Sequence, residues 1–292
     1  MILGIDPKVD YAFKHLLGRQ ATRPILINVL NSVLHPAPGL QIRDLELLNP
    51  FNPKEALDDK LSILDIKARD QAGRQFNVEM QMLGFRYYEK RILYYACKLH
   101  QQQLHEGEDY LKLMPTISIS FLDHALFPQV PDYHLRFRLL EHAHQVPFSE
   151  DLEFHILELP KFTKPAAELA SELDIWLYFL RHAEKMDTEA LPTALQKQPL
   201  VLRALEELKM LTQTDIERER YEARRKAQLD YNTGLKVARM EGRAEGEKIG
   251  IIHAFERLLN RLETPSEELA RLSLDDLTRL ADELKAQLQK PH

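Results

Sequence analysis

The stretch LDDKLSILDIKARDQAGRQFNVEMQM, Leu57 to Met82, decides how the rest of the chain is read. Ser62 to Arg69 is rich in β-branched and apolar residues. Asp70 to Arg74 carries Gly73 among polar residues, and Gln75 to Met82 alternates polar with apolar. This is the pattern of two strands joined by a tight turn. Residues two apart on a strand share a face. The first strand therefore sets Leu64, Ile66 and Ala68 against Ile63, Asp65 and Lys67, and the second sets Phe76, Val78 and Met80 against Asn77, Glu79 and Gln81. Where the polar faces coincide, Asp65, Lys67, Glu79 and Gln81 crowd together. Adjacent bare carboxylates are costly unless a cation or a proton sits between them. Mg²⁺ is the obvious cation, since it takes one or two carboxylates and several waters. The same pattern also fits a solvated face on which Lys67 neutralises the acids.

Working outward, Asp10 to Gly18 reads as a short helix, with Asp10 as its opening residue or N-cap. Thr22 and Pro24 mark a second helix start, a capping hydroxyl followed by an early proline, with Ile25, Leu26, Val29, Leu30, Val33 and Leu34 at helical spacing. Ile42 to Leu48 reads as a strand, and Asn49 to Pro53 breaks the pattern. After Gly84, Phe85 to Leu104 reads as a helix with Ile92, Leu93, Ala96 and Leu99 inward. Thr116 to Leu122 reads as a buried strand. The order helix, strand, strand, strand, helix, strand predicts a mixed sheet with helices on its faces.

The chain has 292 residues, 44% of them hydrophobic, enough for one large domain or two smaller ones. Its net charge of −6 argues against a surface coated in basic residues, though not against a local basic strip. The helix after Gly84 is such a strip, with Arg86, Lys90, Arg91 and Lys98. It suits phosphate contact, or a plain solvated face. Tyr87, Tyr88, Tyr94 and Tyr95 suit base stacking or packing. Cys97, the one cysteine, excludes an internal disulfide; it reads as a buried structural thiol in a reducing, cytoplasmic compartment. No apolar run reaches a membrane span, and the N-terminus lacks the pattern of a signal peptide.

Tyr133 to Leu139 and Phe154 to Leu159 have strand character. His134, His142, His144 and His155 lack the spacing of a zinc motif and read as surface or packing residues. Ala166 to Ala183 turns helical, with Leu169, Leu173, Ile175, Trp176, Phe179 and Leu180 inward, and Leu200 to Met210 resumes that spacing after a broken connector. Asp215 to Gly250 is mostly charged, with Gly242, Gly246 and Gly250 four apart. It reads as a solvated helix that mediates self-association, or as a flexible tether. Ile251 to Leu262 and Pro265 to Leu288 form a small helical end-piece with Leu274, Leu277, Leu280 and Leu284 as its stripe. The expected divisions are 1–165, 166–212, 213–250 and 251–292.

DYAFKHLLG (Asp10 to Gly18), LLNPFN (Leu47 to Asn52), LDIKARDQAGRQFNVEMQ (Leu64 to Gln81), FRYYEKRILYYACKL (Phe85 to Leu99) and EGEDYLKLMPTISISFLD, ending at Asp123, follow one another in the order of a known family. The chain resembles the PD-(D/E)xK nucleases and, more narrowly, the recombination-promoting nuclease (Rpn) family, whose name also carries the label transposase. The resemblance implies an α/β restriction-endonuclease-like core, a mixed central sheet flanked by helices, with a helical C-terminal extension. It implies a metal-dependent DNA endonuclease that promotes recombination and uses Mg²⁺, or Mn²⁺ or Ca²⁺ in vitro. By resemblance, Asp65 and Glu79 are the metal ligands, with the backbone carbonyl of Met80 as a third. Gln81 stands where the wider pattern has lysine. An amide orients water but carries no charge; Lys67 or Lys60 can take over that role. Asp10, with Lys14 one turn on, lies beside the family's site. Arg91, Lys14 and Tyr95 are the expected DNA contacts, and the C-terminal helical region the expected self-association element. The rival reading is a weakly active or inactive nuclease fold that acts through self-association. A ribonuclease is the third, with no RNA-binding motif to support it.

Overall fold

The computed structural model describes residues 2–49, 51–52, 62–63, 65–84, 86–211 and 213–289. Lys60, Leu64 and Phe85 lie outside the described residues; the helix expected over Phe85 to Leu104 runs from Tyr88 to Gln101. Two compact units are present, Met1–Arg225 and Lys226–His292.

The first unit is built on a six-stranded mixed sheet of order β1-β4-β5-β6-β8-β7. Its strands are β1 (Leu45–Leu48), β4 (Ile66–Asp70), β5 (Gln75–Gln81), β6 (Thr116–Leu122), β7 (His134–Leu140) and β8 (Pro147–Glu158). β2 (Phe51–Asn52) and β3 (Ser62–Ile63) pair separately. β4 and β5 form the antiparallel hairpin read from the sequence, but the expected first strand, Ser62 to Arg69, is split: Ser62–Ile63 pairs with Phe51–Asn52, inside the stretch read as a break, and only Ile66–Asp70 pairs with β5. Asp70 pins the hairpin's turn by accepting from the N–H groups of Ala72 and Arg74, and Gly73 supplies φ +84°. β5, β6 and β8 run parallel. Phe76, Val78, Ile117, Ile119, Phe121 and Leu157 point to one face. There they pack against α1 (Asp10–Leu17), α2 (Arg23–Leu34), α4 (Glu172–His182) and α6 (Pro199–Met210) in the main apolar core. α3 (Tyr88–Gln101) packs against β5 and β6, and its Tyr88 and Ile92 share a separate apolar cluster with Leu122 and Ile156. α5 (Thr193–Gln196) lies within the expected connector.

Several local expectations need correction. Asp10 is not the N-cap of α1: Val9 takes that place, and Lys14 Nζ holds the Asp10 carboxylate at 2.7 Å. Thr22 precedes α2 without capping it, because its hydroxyl donates back to Arg19 O. Cys97 is exposed, since the inward positions of α3 are Tyr88, Ile92, Ala96 and Leu99 and residue 97 lies off that stripe. Leu93 is half-exposed for the same reason. His134 and His155 are joined by a 2.8 Å hydrogen bond, and His155 Nε2–H donates to Glu153 at 2.6 Å. Burial and the neighbouring His155 push His134 down to about 4.

α7 (Asp215–Leu258) is one helix through the charged segment, and α8 (Ser266–Leu269) and α9 (Leu274–Leu288) follow it. In the second unit Ile252, Leu269, Leu277, Ala281 and Leu284 form a small core. A Cβ added at Gly242 or Gly246 meets nothing within 4 Å among the described residues. Exposed mid-helix glycine costs about 1 kcal/mol against alanine. Gly242→Ala and Gly246→Ala are each expected to raise the urea midpoint of the full chain by up to that equivalent. A lowered midpoint would show that something presses on this face.

Among the described residues, no helix is long and apolar enough to cross a membrane.

Candidate active site

The antiparallel register pairs Ile66 with Val78 and Lys67 with Asn77. Continued by one residue, it sets Asp65 opposite Glu79, on the face that carries Lys67 and Asn77. The parallel register then adds Thr116, Ser118 and Ser120 beside Gln75, Asn77 and Glu79. This polar face is interior: Asn77, Ser118 and Ser120 are buried, and Glu79 is only 5% exposed. The solvated-face reading is therefore overturned, because α3 covers what an open hairpin would leave to water.

Each carboxylate is held by identifiable groups. Asp65 Oδ2 accepts from the Met80 N–H at 3.1 Å, and Lys14 Nζ lies 3.2 Å from Asp65 Oδ1. Lys14 thus bridges Asp10 and Asp65. Gly18 closes α1 against β4: a Cβ there would sit 2.8 Å from Lys14 O and 3.5 Å from Ile66 Cγ1. Glu79 Oε1 accepts from Asn77 Nδ2 at 3.0 Å, and Glu79 Oε2 from the Tyr88 hydroxyl at 3.3 Å. Gln81 Oε1 accepts from Arg91 at 2.6 Å. Lys67 Nζ donates to Gln102 Oε1 at 3.2 Å, beyond the polar row.

The electrostatics follow from this packing. Burial pushes the Asp65 carboxyl up to about 6; the charges of Glu79 and Asp10 push the same way, while Lys14 and the Met80 N–H oppose them. Burial works against the charge on Lys14, but Asp65 and Asp10 outweigh it and hold its pKa above the ordinary value. Burial lowers Lys67, with help from Arg69. Burial and then the Glu79 charge raise Tyr88, so its hydroxyl stays a neutral donor to Glu79 at physiological pH.

The structure therefore brings Asp10, Lys14, Asp65, the Met80 backbone, Glu79, Gln81 and Arg91 to one end of β4 and β5. Tyr95 also feels this end: burial raises its phenol first, Arg91 opposes, and Glu79 and Asp65 add to the rise. Lys14 lies on the acids rather than turned outward as a phosphate contact. Sequence reading put Asn77 on the polar face and Tyr88 among stacking or packing aromatics, but not their hydrogen bonds to Glu79. Among the described residues, no group of three or more His, Cys, Asp or Glu is placed to hold a metal ion.

The sequence profile of the PD-(D/E)XK nuclease family transposases matches residues 7–238. The chain belongs to that family. No curated protein and no solved structure matches it significantly. Membership carries nuclease-type function, a hydrolase acting on DNA, in a superfamily that generally uses divalent metal ions. The mixed sheet with flanking helices is the fold expected of it.

The grip on Glu79 has a measurable consequence. Groups that orient a metal-binding carboxylate are typically worth 10- to 100-fold in metal affinity. On the proposal that Glu79 holds a metal ion, Tyr88→Phe, which deletes one hydroxyl without changing shape, is expected to weaken Mn²⁺ binding by calorimetry by about that factor. Unchanged affinity would mean that Tyr88 only packs.

Proposed function

We propose that the chain is a metal-dependent DNA endonuclease of the recombination-promoting type, with Asp65 and Glu79 as its metal ligands. One observation carries this reading: Asp65, one residue before β4, lies near enough to the buried Glu79 of β5 to feel its charge, and its carboxyl is pushed up to about 6. The donor set suits a hard cation. Mg²⁺ needs one or two protein carboxylates and takes its remaining ligands from water and phosphate, so a three-acid cage is not required. When bound, the ion supplies Lewis-acid activation of the phosphate and of the attacking water. The Met80 carbonyl is the third protein donor in this reading.

The chain's own residues do the rest. The Met80 N–H fixes Asp65, and Asn77 and Tyr88 fix Glu79. Gln81, steadied by Arg91, orients water by hydrogen bonding. Lys14 supplies the ammonium that Gln81 cannot, 3.2 Å from Asp65. Asp10 holds Lys14 in place. Arg91 and Tyr95 line the strand's approach.

A second reading is a weak or inactive nuclease fold acting through self-association. It is favoured by the ammonium of Lys14 already lying on Asp65. The exposed Leu229, Val237 and Met240 of α7 are the apolar surface through which copies would join. The test is nicking of supercoiled plasmid by the purified full chain with Mg²⁺, Mn²⁺ or Ca²⁺ and with EDTA. Metal-dependent nicking supports the first reading; none with any ion supports the second.

A further inference from the structure

The first half of α3 lines an open cleft of about 480 Å³. Its lining holds three cations and four tyrosines, and among the described residues no carboxylate. This is a local reversal in a chain of net charge −6. We propose that the cleft takes unpaired nucleotides, so that the site acts on single-stranded or locally opened DNA rather than on intact duplex. The inference rests on the nuclease reading for its choice of DNA.

The floor of the cleft ties it to the carboxylates. The Tyr88 hydroxyl donates to Glu79 and Arg91 donates to Gln81, so two lining residues reach the interior polar face directly. Tyr95 feels the charges of both Glu79 and Asp65. A strand lying in the cleft therefore runs beside the groups that would cut it.

The rim shows what the cleft is shaped to hold. Tyr87 is 52% exposed and Tyr94 43%. An exposed ring offers a π-face, and every base has one to match, whatever the sequence. Intact duplex keeps those faces stacked inside and presents only edges and phosphates. Arg86 and Lys90 lie over the Tyr87 ring, 5.1 and 4.8 Å from its centre, so that ring gathers the positive charge that suits a phosphate and Tyr94 is the ring left for a base. Tyr87 adopts φ +65° at the start of α3, a left-handed conformation uncommon for tyrosine and characteristic of strained functional positions. The volume lies in the range of small-ligand sites, enough for a nucleotide or two.

The test uses the full chain in EDTA at low salt, with a labelled 20-mer of mixed sequence as a single strand and as a duplex, read by fluorescence anisotropy. The single strand is expected to bind at least about 10-fold tighter. Tyr94→Ala should weaken single-strand binding about 5- to 100-fold, the worth of one stacked base, and leave duplex binding unchanged. Tyr94→Phe, which keeps the ring, should retain it. Equal affinity for the two forms, or an unaffected Tyr94→Ala variant, overturns the proposal. A parallel Mg²⁺ arm separates it from the nuclease reading. The expected binding pattern without cutting upholds the cleft and removes the nuclease. Intact duplex cut as fast as the single strand, with Tyr94→Ala unaffected, upholds the nuclease and removes the cleft.

Discussion

Glu79→Gln is expected to reduce metal-dependent nicking of plasmid DNA by at least about 1000-fold, with the fold intact. A metal site contributes several kcal/mol of transition-state stabilisation, and each ~1.4 kcal/mol is tenfold in rate. Glutamine keeps the shape of Glu79: its amide oxygen can still accept from Asn77, and its Nε2–H can donate to the Tyr88 hydroxyl oxygen, so the side chain stays held in place. What it removes is charge. The substitution therefore separates a carboxylate needed for an ion from one needed for packing. Because Glu79 is buried among neutral donors, losing its charge also relieves a desolvation cost, so the variant should not lose stability. Wild type and variant compared on plasmid, with circular dichroism as the folding control, decide the matter. Nicking at the wild-type rate by the variant would place the chemistry elsewhere or in a contaminant.

How much of this was legible in the sequence depends on the range of the contact. The hairpin was legible because its signals are local: strict alternation from Gln75 to Gln81, and Asp70 with Gly73 at the turn. Alternation also gave the shared face of Asp65 and Glu79. It could not show that this face is interior, because that depends on α3 closing over it. The Lys14–Asp65 contact joins a helix to a strand distant in sequence, and no spacing rule reaches that far. Tyr88 sits on the inward stripe of α3, where periodicity registers an aromatic but not the aim of its hydroxyl. β8 is longer than its apolar pattern implied, because Glu153 and His155 occupy inward positions and satisfy each other there. α7 runs unbroken through its glycines because the residues between them are strong helix formers.

Asp65→Asn is expected to do two opposite things: abolish cutting and stabilise the metal-free protein at pH 7.5. The sign follows from linkage. An unfolded aspartate titrates at its ordinary value of 3.8, and the native Asp65 near 6. Between those values the native state holds the proton more tightly than the unfolded chain, so this group lowers stability as pH rises toward 6. Above 6 the full cost is present, of order 1–3 kcal/mol. It falls toward the lower end because the side chain is 22% exposed and solvent screens part of its charge. Asparagine removes the charge, can still accept from the Met80 N–H, and leaves Lys14 paired with Asp10. The urea midpoint of Asp65→Asn should therefore exceed that of wild type at pH 7.5 and converge with it only below about pH 3.8, where the aspartate is protonated in the folded and the unfolded chain alike. Saturating Mg²⁺ should raise the wild-type midpoint by mass action and leave the variant where it was. The same titration predicts that the wild type's affinity for the ion weakens as pH falls through about 6, because the proton competes with the ion for the carboxyl. A variant less stable than wild type at pH 7.5 would mean that the Lys14–Asp65 pair holds the fold together.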